Sequence, residues 1–159
     1  MKSSLIDIAE RIRNDLVEIE MLVERAIAGW QKFLQTNDDL YLDSVALSLH
    51  GFYGGLERLF EIIATRIDGE RPEGNEWHYS LLMQMSNDLS NIRPAVISEI
   101  CKEMLNGYRK FRHVVRHVYA FEFDSEIIGD GVKDLVIAFE LSRRELIGFA
   151  EFLEGQSNL

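Results

Sequence analysis

The chain has one cysteine, Cys101, among its 159 residues, so no disulfide can form within it. A lone thiol of this kind fits a reducing compartment. Only two prolines occur, Pro72 and Pro94, and helix-forming residues dominate. No apolar run approaches the roughly 20 residues that a membrane helix needs. The first residues, MKSSLIDIAE, meet acids before any long apolar stretch, which is not the pattern of a secretory signal. Repeats, low-complexity tracts and linkers are also missing. Together these absences lead us to expect a soluble cytoplasmic protein with no membrane partner, folded as one domain over residues 1–159.

Positive charge is scarce as well. Lys and Arg number 17 against 27 Asp and Glu, and the formal net charge is −10. General attraction to nucleic acid is therefore not expected, and any nucleic-acid site must be a local positive patch. Residues 108–119, YRKFRHVVRHVY, are such a patch. They hold Arg109, Lys110, Arg112 and Arg116, two of the four histidines and no acid. With those four charges set aside, the remainder of the chain stands at −14.

What is abundant is helical periodicity. Over residues 5–34, Ile8, Ile12, Leu16, Ile19, Val23, Ile27 and Trp30 recur at spacings of three and four, as one helix stripe requires. Asn37, Asp38 and Asp39 break that pattern and offer caps. A second helix is predicted over residues 40–67, ended by the turn DGERPEG. A third, shorter helix starts near Asn75. A fourth is expected from Pro94, placed in a first helical turn, to Tyr119 or a little beyond, with Gly107 weakening it by about 1 kcal/mol relative to alanine. FEFDSEIIGDG reads as a loop, and a fifth helix covers residues 132–153. No strand candidate is convincing. The expected fold is all-α, an antiparallel bundle of about five helices.

On a helical wheel with Phe111 at zero, Val114, Val115 and Val118 fall within about 60° and define a core stripe. Arg112, Arg116 and Arg109 lie at about 100–160°, and His113 and His117 at about 200–240°. The arginines and histidines are thus expected to share one exposed or interfacial face. A solvated basic face or a subunit contact is the plain reading of it. Arginine also offers a rigid fork of donors that matches phosphate oxygens. Histidine exchanges a proton near neutral pH, and neighbouring Arg112 and Arg116 should favour its neutral form, as a general base needs. His113 and His117 have a zinc-like spacing, but no glutamate lies between them and the arginines would repel a cation, so no metal and no cofactor are expected.

Arg112-His113-Val114-Val115-Arg116-His117-Val118-Tyr119 resembles the R-x4-H-x-Y motif of HepT-like toxins in the HEPN superfamily of ribonucleases. FRHVVRHVYAFEFD and the upstream pairing of NEWHYSLLMQM with RPAVIS are similar to one HepT-like branch. This likeness covers residues 75–124 in detail. It implies a HEPN-like bundle that dimerises so that two motif helices line one cleft. It also implies a metal-independent endoribonuclease toxin acting on RNA, whether tRNA or mRNA. Arg112 and His117 would be the catalytic pair. His117 would transfer a proton with the RNA 2′-hydroxyl as nucleophile, and Arg112 would hold the scissile phosphate, leaving a 2′,3′-cyclic phosphate. The resemblance further implies a nucleotidyltransferase antitoxin of the MNT type as partner, which attaches AMP to Tyr119. That residue lies seven after Arg112, about 10.5 Å along the axis on nearly the same stripe.

Arg109, His113 and Arg116 are supporting RNA contacts in this reading, and Tyr108 and Lys110 are further candidates. His50, beside Gly51, Gly54 and Gly55, is expected to pack, the glycines marking a close helix approach. His78 is expected to cap or pack, although it could reach the cleft. Glu122 and Asp124 either orient a histidine or begin a loop. Two other readings are kept: a non-enzymatic HEPN module that binds a nucleotide or a partner nucleotidyltransferase, and a helical adaptor docking a basic protein.

Overall fold

A computed structural model describes residues 2–116 and 124–158, with the side chains of residues 2, 3 and 113–116 outside the description. Among the described residues six α-helices follow one another: α1 Lys2–Thr36, α2 Asp39–Ile63, α3 Trp77–Met85, α4 Glu99–Arg116, α5 Ser125–Lys133 and α6 Leu135–Ser157. A π-helical turn, Ala64–Asp68, extends α2. Among the described residues there is no strand, only an isolated bridge between Leu89 and Arg93. None of the described helices is long and apolar enough to cross a membrane. The all-α expectation holds, with one helix more than foreseen.

The α1 stripe forms as its spacing dictates. Ile8, Ile12, Leu16, Ile19 and Val23 are buried, with Ile27 and Trp30 packed at the edge of the core. At the α1–α2 turn Asn37 takes a left-handed φ of 58°. Asp38 then caps α2, its carboxylate accepting from Leu40 N at 3.0 Å. So short a connection makes α1 and α2 antiparallel neighbours. Their contact is close because Gly51 and Gly55 face it. A Cβ on Gly55 would lie 2.8 Å from Ile19 Cγ1, and one on Gly51 3.0 Å from Leu22 Cδ1. α6 covers a second side of α1, and α4 lies along α2.

Two expectations are corrected. Pro94 is not in a helical turn; α4 starts at Glu99, where Ser98 Oγ accepts from Cys101 N at 3.2 Å. The stretch before it is held out of the helix, bent at Val96 and Ile97, because its backbone donors are used elsewhere. Val96 N and Ile97 N donate to Met85 O at the end of α3, and Ala95 N donates to Asp88 Oδ1. The described part of FEFDSEIIGDG is helix α5 rather than loop. Asp124 caps it by accepting from Glu126 N at 2.9 Å. Its glycines are contacts instead of turns: a Cβ on Gly129 would lie 2.8 Å from the Trp30 ring, and one on Gly131 3.0 Å from Leu49. The DGERPEG turn stands as foreseen, with Gly69 and Gly74 at φ of 74° and 95°.

A buried ion pair fixes α3 relative to α2. Asp68, at the end of the π turn, receives Arg93 Nε at 2.6 Å and Nη2 at 2.7 Å, with both side chains essentially sealed from solvent. The remaining arginine donors go to the carbonyls of Asn87, Pro94 and Gln84. All five guanidinium hydrogens thus find acceptors, as a buried arginine requires. Gln84 adds a bond to Asp68 Oδ2 at 2.7 Å.

Candidate functional site

The inward face of α4 is not centred on Phe111. Its buried residues are Cys101, Leu105 and Tyr108, spaced by four and three. The next position in that register is Arg112. The guanidinium therefore ends a core stripe and meets α2, instead of standing on an exposed face. Its side chain keeps 23% exposure. Phe111 is partly buried beside that stripe.

Three side chains on other elements surround Arg112. From α2, His50 Nε2 accepts from Arg112 Nε at 3.3 Å, and Glu57 Oε1 accepts from Nη1. His50 and Glu57 are seven residues apart, two turns on one face of α2, with Tyr53 between them. From α3, His78 Nδ1 lies 2.8 Å from Glu57 Oε2. An ionised carboxylate only accepts, so the shared hydrogen belongs to Nδ1. One buried carboxylate, 5% exposed, thus binds a guanidinium with one oxygen and an imidazole with the other. Two of the five Arg112 donors are used by described residues, and neither is on Nη2.

Aromatic rings extend the cluster outward. The His78 ring stacks on Trp77 with centroids 3.6 Å apart, and the Arg71 guanidinium sits 4.9 Å over Trp77. Arg71 also pairs with Glu61 at 3.1 Å. Arg109 lies 5.2 Å over Tyr79, its Nε donating to Asn106 Oδ1 at 2.8 Å. Three guanidiniums (Arg71, Arg109, Arg112) and two carboxylates (Glu57, Glu61) take part in these contacts. Tyr53 is buried, and its hydroxyl has no partner among the described residues. Burial, then the Glu57 charge, push that phenol well above its ordinary pKa, against the pull of Arg109 and Arg112.

The structure places some of the sequence-predicted residues and revises the surroundings of others. Arg112 and Arg109 are placed at the cluster. Tyr108 is not an RNA-facing residue: it is buried, donating from its hydroxyl to Gly131 O at 2.7 Å. His117, Tyr119 and Glu122 lie outside the described residues, as do the side chains of His113 and Arg116. His50 and His78, expected to pack or cap, both belong to the Arg112 cluster. The segment 108–119 holds no acid, yet Arg112 is balanced in space by Glu57, which sequence reasoning missed. A signal for it exists: Glu57 follows His50 and Tyr53 in helical register, an acid placed on the apolar face of α2. Among the described residues no three His, Cys, Asp or Glu side chains form a group able to hold a metal ion.

An all-α protein in which a partly buried arginine shares one carboxylate with an imidazole and donates to a second imidazole is the class that fold and site define. A family model described as HepT-like protein matches residues 44–153, from α2 into α6. The chain belongs to this family, a HepT-like branch of the HEPN superfamily. Comparisons with curated proteins and with solved structures gave no match.

Proposed function

We propose that this protein is a metal-independent endoribonuclease, the toxin of a toxin–antitoxin pair. The observation that carries the reading is the way Arg112 is held. His50 and Glu57 fix the Nε and one Nη1 donor. The donors on Nη2 and the second on Nη1 remain to meet two oxygens of one phosphate, in the fork geometry that suits arginine. A guanidinium fixed in advance stabilises charge on the phosphate in the transition state, with little reorganisation at the moment of reaction.

His117 takes the proton of the RNA 2′-hydroxyl, and the 2′-oxygen attacks the adjacent phosphorus. Membership of the HepT-like family supports this assignment, because His117 stands five residues after Arg112 in the family's motif. Two chains pair so that their motif helices line one cleft, Arg109, His113 and Arg116 following the RNA backbone. A partner nucleotidyltransferase silences the site by adding AMP to Tyr119, which sets a negative charge where the substrate phosphate must bind. The Glu57–Arg112 pair also fits the non-enzymatic alternative, in which the arginine is a structural ion pair and the bundle only binds a nucleotide or partner.

RNA cleavage in EDTA tests the reading. Purified protein should cut RNA to 2′,3′-cyclic phosphate and 5′-hydroxyl ends, and His117→Ala should lose that activity. Intact mass should first establish that the preparation carries no AMP. Intact RNA with unmodified protein would transfer support to the non-enzymatic module.

A further inference from the structure

A 2′-hydroxyl attack needs two proton transfers. One removes the proton of the nucleophile; the other delivers a proton to the departing 5′-oxygen. His117 and Arg112 cover the first transfer and the phosphate, and the leaving oxygen is unattended. A group for it should be an imidazole or acid on a fixed element, close to Arg112 and partly open to solvent.

His78 meets those conditions. Its Nδ1 is tied to Glu57 Oε2 at 2.8 Å, and the other oxygen of the same carboxylate holds Arg112. A single carboxylate group thus separates imidazole from guanidinium. Trp77 lies against one side of the ring, tilted by 31° with 3.6 Å between centroids. Its side chain is 27% exposed. With Nδ1 committed to Glu57, Nε2 on the far side of the ring is the nitrogen available to a substrate. A carboxylate behind an imidazole fixes both its tautomer and its orientation and stabilises the imidazolium of a catalytic pair. A purely structural histidine could pack on Trp77 without sharing its carboxylate with the phosphate-binding arginine.

We infer that His78 is the general acid of the cleavage, protonating the 5′-oxygen of the leaving nucleoside from Nε2. The inference rests on the nuclease reading above. In the step, the 2′-oxygen bonds to phosphorus as its proton passes to His117. The bond from phosphorus to the 5′-oxygen breaks, its electron pair leaving with that oxygen, and the His78 proton completes the 5′-hydroxyl. The products are a 2′,3′-cyclic phosphate, a 5′-hydroxyl, a neutral His78 and a protonated His117. Proton exchange with water restores both rings.

The test uses a single-stranded RNA oligonucleotide that the wild type cuts at a mapped link, and the same oligonucleotide with sulfur replacing the 5′-bridging oxygen at that link. A thiolate leaves without help from an acid. His78→Asn keeps an amide donor toward Glu57 and removes the titrating nitrogen; His78→Gln is read beside it, with circular dichroism and thermal unfolding as fold controls. Both variants should slow the ordinary link by about 100-fold or more and cut the sulfur link within about threefold of wild type. Arg112→Ala should slow both. Equal slowing of the two links by the His78 variants, or none, overturns the assignment and leaves the nuclease intact. A wild type that cuts neither RNA overturns the nuclease reading and the assignment together.

Discussion

Removing Asp68 should be among the most destabilising single changes in this protein, and the cost follows from its surroundings. Its carboxylate is 1% exposed and receives Nε and Nη2 of an Arg93 side chain that is 0% exposed. Asp68→Ala leaves a guanidinium in the interior without a counter-charge. Breaking a buried pair from one side costs about 3–5 kcal/mol. The three backbone carbonyls that still accept from Arg93 put the expectation near the lower end, about 3 kcal/mol. In a chain of this size each kcal/mol lowers Tm by about 2–4 °C, so the midpoint should fall by roughly 6–12 °C. Arg93→Ala should cost about the same, because it strands the carboxylate. The double change to Asp68→Leu with Arg93→Met should recover part of the loss, since no buried charge is then left alone. Urea unfolding of wild type, the two alanine variants and the double alanine variant Asp68→Ala with Arg93→Ala gives the coupling directly. Single losses below about 1 kcal/mol, or losses that simply add, would refute the argument that this pair is a buried, mutually dependent unit. Because the clamp sets α3 against the π turn, the same variants should also disturb His78.

The remaining predictions concern packing and pH. Gly55→Ala should destabilise by up to about 2 kcal/mol, because a Cβ 2.8 Å from Ile19 costs more than the helix propensity returns; an unchanged unfolding midpoint would show that α1 and α2 have room to part. Gly107→Ala should instead stabilise by about 1 kcal/mol, since no described atom lies within 4 Å of the added carbon. Stability should decline in alkali. Burial raises the Cys101 thiol from 9.0 to about 12 and lifts the Tyr53 and Tyr108 phenols above their ordinary 10.0. The unfolded chain releases these protons first, so stability is fully present below pH 9 and is lost as pH rises towards the folded values. Each group contributes about 1.4 kcal/mol per pH unit once the unfolded form has titrated. Urea midpoints that stay level between about pH 9 and pH 11 would contradict this.

Much of the fold was legible because helices announce themselves locally. The α1 stripe from Ile8 to Trp30 and the Asp38 cap were readable from spacing alone. Gly129 and Gly131 misled because a glycine that admits Trp30 or Leu49 looks, in sequence, like one that makes a turn. Pro94 misled because its position depends on backbone bonds to Met85 and Asp88. The wheel centred on Phe111 left out Cys101, Leu105 and Tyr108, whose register carries Arg112 inward. The site was legible only as its arginine. His50 and Glu57 stand 62 and 55 residues before Arg112, and His78 stands 21 after Glu57. Periodicity along one helix holds no trace of pairs made across three.

Arg112 is where the account is most exposed. Single-turnover cleavage of RNA in EDTA, comparing wild type with Arg112→Ala and Arg112→Lys, addresses it directly. The alanine variant should be slower by about 100-fold or more, and lysine should restore little, because a single ammonium cannot reproduce the fork. Cleavage at the wild-type rate by a folded Arg112→Ala protein would mean that this guanidinium never touches the scissile phosphate.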